Sequence, residues 1–322
     1  MDLSRLRRHD FLVLGRAGMD FYAEPPGTPI ESAERFFPAL GGSSANIAVA
    51  IAKLGGTAAL VTTVSDDAVG RYVLNQLKTY NVATDHVRLV KSEVRTSLAV
   101  VETRAENCQS VLYRNNAADF ALSESDIASL PYDKAGALII TGTALAMEPS
   151  RGATLEAIRR AAAHALPVIF DIDYRPYSWT SKAEALAVCG EVARSSQIVI
   201  GNDEEFAVLA PDQDGLAFAR TLAASTAGIV VYKMGEAGAI TRSGKDEFSS
   251  GIYPVRALKP TGAGDSFMGG FVTGLAEGLP LPECVRRGSA AAALVVTRVG
   301  CAPANPTRTE LDTFMAETKT DW

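Results

Sequence analysis

Short runs rich in Val, Ile and Leu, separated by stretches with helical spacing, constrain this chain more than any other feature. The runs are Phe11–Leu14, Ala58–Val64, Leu138–Thr141, Val168–Asp171, Ile198–Ile200 and Ile229–Lys233. Between them, Ala45–Leu54, Arg71–Tyr80, Thr154–Ala163 and Ala183–Ala193 read as amphipathic helices. Unbroken apolar strands alternating with helices are the pattern of a parallel sheet covered on both faces. An α/β fold follows. Ligands of such sheets bind beyond the carboxyl ends of the strands, and polar residues gather there. Asp20 follows the first run, Asp173 and Arg175 the fourth, and Asn202 to Glu205 the fifth. Any one of them could be a helix cap; their shared placement marks a site.

Finer signals fill in the pattern. Ser43 and Ser44 are good caps for the helix from Ala45, and Gly55-Gly56 stops it. Two late helices, Ser266–Leu275 and Pro282–Thr297, are rich in Ala and Gly and are expected to pack closely against the sheet. Two segments break the rhythm. Asp20–Leu40 is proline-rich with aromatics, and Thr96–Tyr113 reads as two alternating strands around a turn at Glu106-Asn107. They are expected to pair as a small projecting sheet.

With 322 residues, 47% of them hydrophobic, the chain can bury a large core. Its net charge of −6 argues against nucleic acid as a partner, because a phosphate backbone demands a basic face. Cys108, Cys189, Cys284 and Cys301 are scattered, which suits free buried thiols rather than zinc or redox pairs. His9, His86 and His164 lie apart from one another and from every motif, so a histidine triad or metal site is not expected. No apolar stretch at the N-terminus is long enough for a signal peptide or a membrane span, and a cytoplasmic protein is expected.

The chemistry is concentrated in Thr261-Gly262-Ala263-Gly264-Asp265, followed by Ser266-Phe267-Met268-Gly269-Gly270. Glycines let the backbone turn tightly and bring bare N–H groups against a ligand. Where those groups open a helix, they and its dipole form an anion site. An Asp there repels what the glycines attract, unless phosphate must meet a hydroxyl whose proton needs an acceptor. Other phosphate motifs fail. A dinucleotide fingerprint from Gly262 would need glycine where Phe267 stands, and Gly244-Lys245 lacks both the first glycine (Ala239) and the Ser or Thr (Asp246) of a P-loop.

Gly41-Gly42-Ser43-Ser44-Ala45-Asn46-Ile47-Ala48 resembles the first glycine-rich motif of the ribokinase (PfkB) family of carbohydrate kinases, and Gly262-Ala263-Gly264-Asp265 resembles the second. With Asn202-Asp203-Glu204-Glu205 between them, the motifs span nearly the whole chain. The resemblance implies a single kinase domain over residues 1–322. It would be a three-layer α/β/α sandwich with a mainly parallel central sheet and a small protruding β-lid from about 20–40 and 96–118, often also a homodimer surface. It implies Asp265 as general base, with the amides of Gly262, Ala263 and Gly264 as anion hole. Asp20, Gly41, Gly42 and Asn46 would hold sugar hydroxyls. Lys233, Gly235 and Thr261, with Gly262 and Gly264, would lie along ATP, and Asn202 and Glu205 would organise Mg2+ through water.

Two further stretches narrow the substrate. Asp171-Ile172-Asp173-Tyr174-Arg175-Pro176 and Tyr113-Arg114-Asn115-Asn116 are similar to segments of the family's kinases of keto-deoxy acid sugars, where the arginines face substrate. Two guanidinium groups in one pocket suit a carboxylate. The stretch Phe11–Asp20, with Glu24-Pro25-Pro26-Gly27-Thr28 after it, resembles the subgroup of myo-inositol breakdown, which phosphorylates a C6 hydroxyl; Arg16 would be a further positive group there. A 2-keto-3-deoxygluconate kinase and a fructokinase stay open as alternatives, as does a non-catalytic sugar or nucleotide sensor. Phe21, Tyr22, Phe36 and Phe37 keep a nucleoside kinase in view. One departure stands out. Many members carry Asp-Thr, which helps hold potassium, where this chain has Lys259-Pro260, so weak or absent potassium activation is expected.

Overall fold

The strands Phe11–Leu14, Leu138–Thr141, Val168–Asp171, Ile198–Ile200 and Ile229–Lys233 are apolar on both faces because both faces are covered. In the computed structural model, which describes residues 3–225, 228–320 and 322, alternate side chains enter two separate cores. Phe11, Val13, Ile139, Ile169, Ile198 and Ile200 point one way; Leu12, Leu14, Ile140, Phe170 and Val199 point the other. The first core is closed by the helices Ser43–Lys53, Ala68–Thr79, Ala263–Glu277 and Leu281–Val296. The second is closed by Ser150–Ala163, Lys182–Ser195, Asp203–Leu209 and Gly215–Ser225. This is the three-layer sandwich.

The strands, in chain order, are Asp10–Leu14 (β1), Gly18–Glu24 (β2), Arg35–Gly41 (β3), Thr57–Ser65 (β4), Val87–Val90 (β5), Ser97–Val101 (β6), Ser110–Tyr113 (β7), Ala137–Thr141 (β8), Val168–Asp171 (β9), Ile198–Asn202 (β10), Ile229–Lys233 (β11), Ala239–Ser243 (β12) and Asp246–Ser250 (β13). Nine form the main sheet in the order β13-β12-β11-β10-β9-β8-β1-β4-β5. It is parallel from β11 to β5, and β12 and β13 add an antiparallel edge. Gly244 and Lys245 form the turn between those two edge strands, with Gly244 at φ +59, so their faint likeness to a P-loop is a hairpin. The second sheet, β3-β2-β6-β7, joins the two segments that broke the sequence rhythm. Its centre is a parallel β2–β6 pairing in which Asp20 faces Ala99.

Two local expectations need correction. Ser43 and Ser44 do not cap their helix: it begins at Ser43, and the capping position is Gly42 at φ +97 with no side-chain cap bond. The Ser44 hydroxyl instead donates to the Leu14 carbonyl, tying the helix to the end of β1. The late glycines serve helix–helix contact more than contact with the sheet. A Cβ on Gly269 would lie 2.4 Å from Ala50 Cβ, and one on Gly270 would lie 2.7 Å from the Arg287 carbonyl oxygen. Small residues let these backbones approach; the bulky Phe267, Met268, Phe271 and Val272 fill the core.

Candidate functional site

Asp265 occupies the first turn of the helix Ala263–Glu277, directly after Gly262 at φ +85. Glycine is needed at 262 for its dihedral angle, and also because a Cβ would lie 2.9 Å from Cys301 Sγ. The opening amides of a helix have no intrahelical acceptors. The Asp265 carboxylate and the N–H groups of the Gly262–Gly264 turn therefore share one helix end. From the neighbouring helix Ser43–Lys53, Asn46 Nδ2 donates to Asp265 Oδ2 at 2.9 Å. Burial pushes the Asp265 carboxyl from 3.8 up to about 7. The charge of Asp173 adds to the rise, and the Asn46 hydrogen bond opposes it. A carboxylate near 7 is matched to accepting a proton at neutral pH.

Asp265 faces a cavity of about 150 Å3 whose walls include Arg16, Asp20, Asn46, Arg114 and Arg175. Thr261, Gly262 and Gly42 also line it, as do Ala99 and Leu112 from the second sheet. Strands β6 and β7 of the second sheet thus form part of the cavity wall. Asp20, on β2, accepts from the Tyr22 hydroxyl at 3.3 Å through Oδ2, and its Oδ1 is buried without a partner. Burial raises its pKa, with Arg16 the first of the groups opposing the rise. The Asn46 Oδ1 and Thr261 Oγ1 atoms are likewise buried and unpartnered. Unsatisfied polar atoms are costly, and three around one cavity are the acceptors a polyhydroxylated ligand would meet. Gly41 does not line the cavity. A Cβ there would lie 2.0 Å from Asp20 Oδ1, so this glycine makes room for the carboxylate.

Arg114 and Arg175 do converge on the cavity, yet both already hold carboxylates. Arg114 is 7% exposed, pairs with Asp119, stacks over Phe120 at 4.1 Å and donates to the Thr143 carbonyl at 2.9 Å. Arg175 lies 2.7 Å from Asp173 Oδ1 and 3.8 Å from Glu205 Oε1. Of the four aromatics that kept a nucleoside substrate in view, Tyr22 lines the cavity, whereas Phe21, Phe36 and Phe37 do not, and Phe36 and Phe37 are exposed.

The remaining expected residues form a second group behind Asp265. Asn202 and Glu205 cap the helix Asp203–Leu209 reciprocally, each side chain accepting from the other's N–H at 2.8 Å. That leaves Glu205 Oε1 without a hydrogen bond among the described residues, and burial raises the Glu205 pKa. Lys233 ends β11, and its Nζ lies 3.3 Å from where a Cβ on Gly264 would stand, beside the glycine turn. Gly235 follows at φ +56 with open space around it. Among the described residues, no group of three or more His, Cys, Asp or Glu side chains is arranged to hold a metal ion directly.

The structure adds further residues to this group. Asp171 is buried at the end of β9 and its pKa is raised well above the ordinary value, by burial above all, with Lys233 opposing and the charges of Asp173, Glu205 and Asp265 adding. Thr143 links Ser43, Thr141 and Asp173 through its hydroxyl. Asp173 itself sits at φ +37, unusual for a residue other than glycine and typical of strained functional positions. Lys259 is fully buried, and its Nζ donates to the Thr261 carbonyl at 2.6 Å and the Val295 carbonyl at 3.3 Å. Thr143 carried no readable signal in the sequence and Asp171 showed only as the last residue of an apolar run, whereas Asp173 and Lys259 are marked there, one just after that run and the other just before the glycine turn.

Comparison with known proteins agrees with this geometry. The profile described as "pfkB family carbohydrate kinase" matches residues 8–308. A 5-dehydro-2-deoxygluconokinase of Photobacterium profundum is 40% identical over 99% of this chain and 98% of its own. A fructokinase from Xylella fastidiosa with bound ATP superimposes with a TM-score of 0.85 at 24% identity, over 96% of this chain and 99% of its own. A fructokinase from Vibrio cholerae, in a form with fructose, ADP and calcium ion bound, gives 0.83 at 26% identity, over 96% and 99%. With both glycine motifs meeting at one cavity and the profile spanning nearly all residues, the chain belongs to the pfkB family of carbohydrate kinases.

Proposed function

We propose that this sugar kinase transfers the terminal phosphoryl group of ATP to the C6 hydroxyl of 5-dehydro-2-deoxy-D-gluconate. The observation that carries the chemistry is Asp265, a carboxyl pushed up to about 7 at the edge of a sugar-sized cavity and beside open helix amides. The hydroxyl proton passes to the Asp265 carboxylate as the sugar oxygen bonds to the γ-phosphorus. The bond from that phosphorus to the β–γ bridging oxygen breaks, and ADP leaves with the electron pair. Amides of Gly262, Ala263 and Gly264 stabilise the charge on the transferring oxygens, and Lys233 adds positive charge beside Gly264. The 40% identical relative supports the choice of sugar.

The acids fit a hydrated divalent cation. Asp171, Asp173, Glu205 and Asp265 influence one another electrostatically, with Lys233, Arg175 and Lys259 among the cations acting on them, and Glu205 Oε1 makes no hydrogen bond among the described residues, its neighbour being Arg175 at 3.8 Å. Asn202 and Glu205 would hold Mg2+ through water, since Mg2+ keeps several of its waters. Bound there, it neutralises phosphate charge. Exposed Phe36 and Phe37 on β3, and Val111 and Tyr113 on β7, support a homodimer through the lid.

A coupled assay of ADP formation tests the substrate. 5-Dehydro-2-deoxygluconate should give the highest kcat/KM, above 2-keto-3-deoxygluconate and fructose. A higher value for neutral fructose would reject the acid-sugar reading, and no turnover with any of them would favour a non-catalytic binder.

A further inference from the structure

Three arginines face the sugar cavity: Arg16, Arg114 and Arg175. Each guanidinium carries five N–H donors in a planar fork. Arg114 has spent most of its own: Nε and Nη2 on Asp119, Nη2 also on the Thr143 carbonyl, and Nη1 on Ser178 Oγ. Arg175 is committed to Asp173 and Glu205, and it also donates to the Tyr174 carbonyl at 3.1 Å. Their charges are balanced before any substrate arrives.

Arg16 differs. Among the described residues its guanidinium makes one hydrogen bond, from Nη1 to Ser97 Oγ at 3.0 Å, and pairs with no carboxylate within 4.0 Å. Its backbone is fixed, because the Arg16 carbonyl accepts from Ala45 N at 3.2 Å at the start of the helix that carries Asn46. Asp20 feels its field from farther off and is itself held by Tyr22. The side chain is partly exposed at the cavity wall, so the free donors are reachable.

We infer that Arg16 is the specificity-determining residue that takes the carboxylate of the substrate. This rests on the acid-sugar reading above and assigns a direction to the molecule. The acid end lies against Arg16, whose Nη1 is held by Ser97 Oγ at the start of β6, and the far hydroxyl is left to Asp265. Arg114 and Arg175 shape the cavity instead of carrying the charge recognition expected of them from the sequence.

The test compares wild type, Arg16→Gln and Arg16→Lys in KM and kcat for 5-dehydro-2-deoxygluconate. It also compares inhibition by gluconate with inhibition by glucitol, which lacks the carboxylate. The expected result in Arg16→Gln is a KM raised by about tenfold or more, as befits lost charge-assisted hydrogen bonds, with a smaller change in kcat. Gluconate inhibition weakens by a similar factor and glucitol inhibition does not; Arg16→Lys falls between. An Arg16→Gln enzyme that still prefers gluconate over glucitol as wild type does overturns this assignment and leaves the acid-sugar reading standing. A wild-type enzyme that treats gluconate and glucitol alike, and prefers fructose, overturns both.

Discussion

Replacing Asp265 by Asn separates the two consequences of placing a carboxylate at a helix end. Asn is nearly isosteric, and its Oδ1 can still accept the hydrogen bond from Asn46 Nδ2 that wild type makes at 2.9 Å. The fold and sugar binding should persist, while the proton acceptor is gone. Loss of a general base costs about 10²–10⁴ in turnover, so kcat should fall by at least about a hundredfold with little change in KM. Stability should move the other way. A rise from 3.8 to about 7 corresponds to about 4 kcal/mol between the two protonation states. The side chain is partly exposed, so about 2 kcal/mol is the realistic gain from removing it. The folded pKa lies above the unfolded one, so the folded state keeps a proton that the unfolded chain releases. Wild-type stability therefore declines between about pH 4 and pH 7 and is level above that. The Tm advantage of Asp265→Asn should be smallest near pH 4, grow to pH 7 and then hold. Thermal denaturation without nucleotide across that range, beside steady-state kinetics, measures both. Turnover within tenfold of wild type, or a variant less stable than wild type at pH 8, would refute the reasoning.

Other outcomes follow from the same geometry. In the free enzyme, kcat/KM should rise with pH through a limb near 7, and Asn46→Ala should move that limb upward, because Asn46 donates to the carboxylate form; an unmoved limb would separate Asn46 from the base. Arg114→Ala leaves Asp119 buried without its partner, so urea denaturation should show a loss of about 3–5 kcal/mol; a loss below about 1 kcal/mol would mean water reaches that pair. Replacing sodium by potassium at constant ionic strength should leave turnover unchanged, because the Lys259 ammonium already lies on the Thr261 and Val295 carbonyls; strong potassium activation would contradict this.

The layered architecture was legible because burial on both faces writes itself locally. Each of Val13, Ile139 and Ile169 enters one core while its strand neighbours enter the other, so the strands are apolar throughout. The lid was visible only as an interruption. Its parallel β2–β6 pairing joins residues 18–22 to 97–101, and nothing in either strand names its partner. The glycine turns were readable as turns. That Gly41 clears space for Asp20, and that Gly269 admits Ala50, depends on neighbours far along the chain.

Charge recognition shows the limit most clearly. Three arginines and their acids are visible in the amino-acid order, but net positive charge at a cavity is set by which carboxylates come within a few ångströms, and Coulomb energy falls off with that distance. Arg175 meets Glu205, thirty positions away, and Arg16 meets Ser97 instead of an acid. Residue types and their periodicity therefore determined the sheet, the helix that opens at Gly262 and the carboxylate that stands on it, since these depend on local backbone geometry and on water-avoiding faces. Tertiary packing alone decided the Asp265 pKa and which of the three cavity guanidinium groups has no carboxylate partner among the described residues, because both arise from desolvation and from groups that folding brings together.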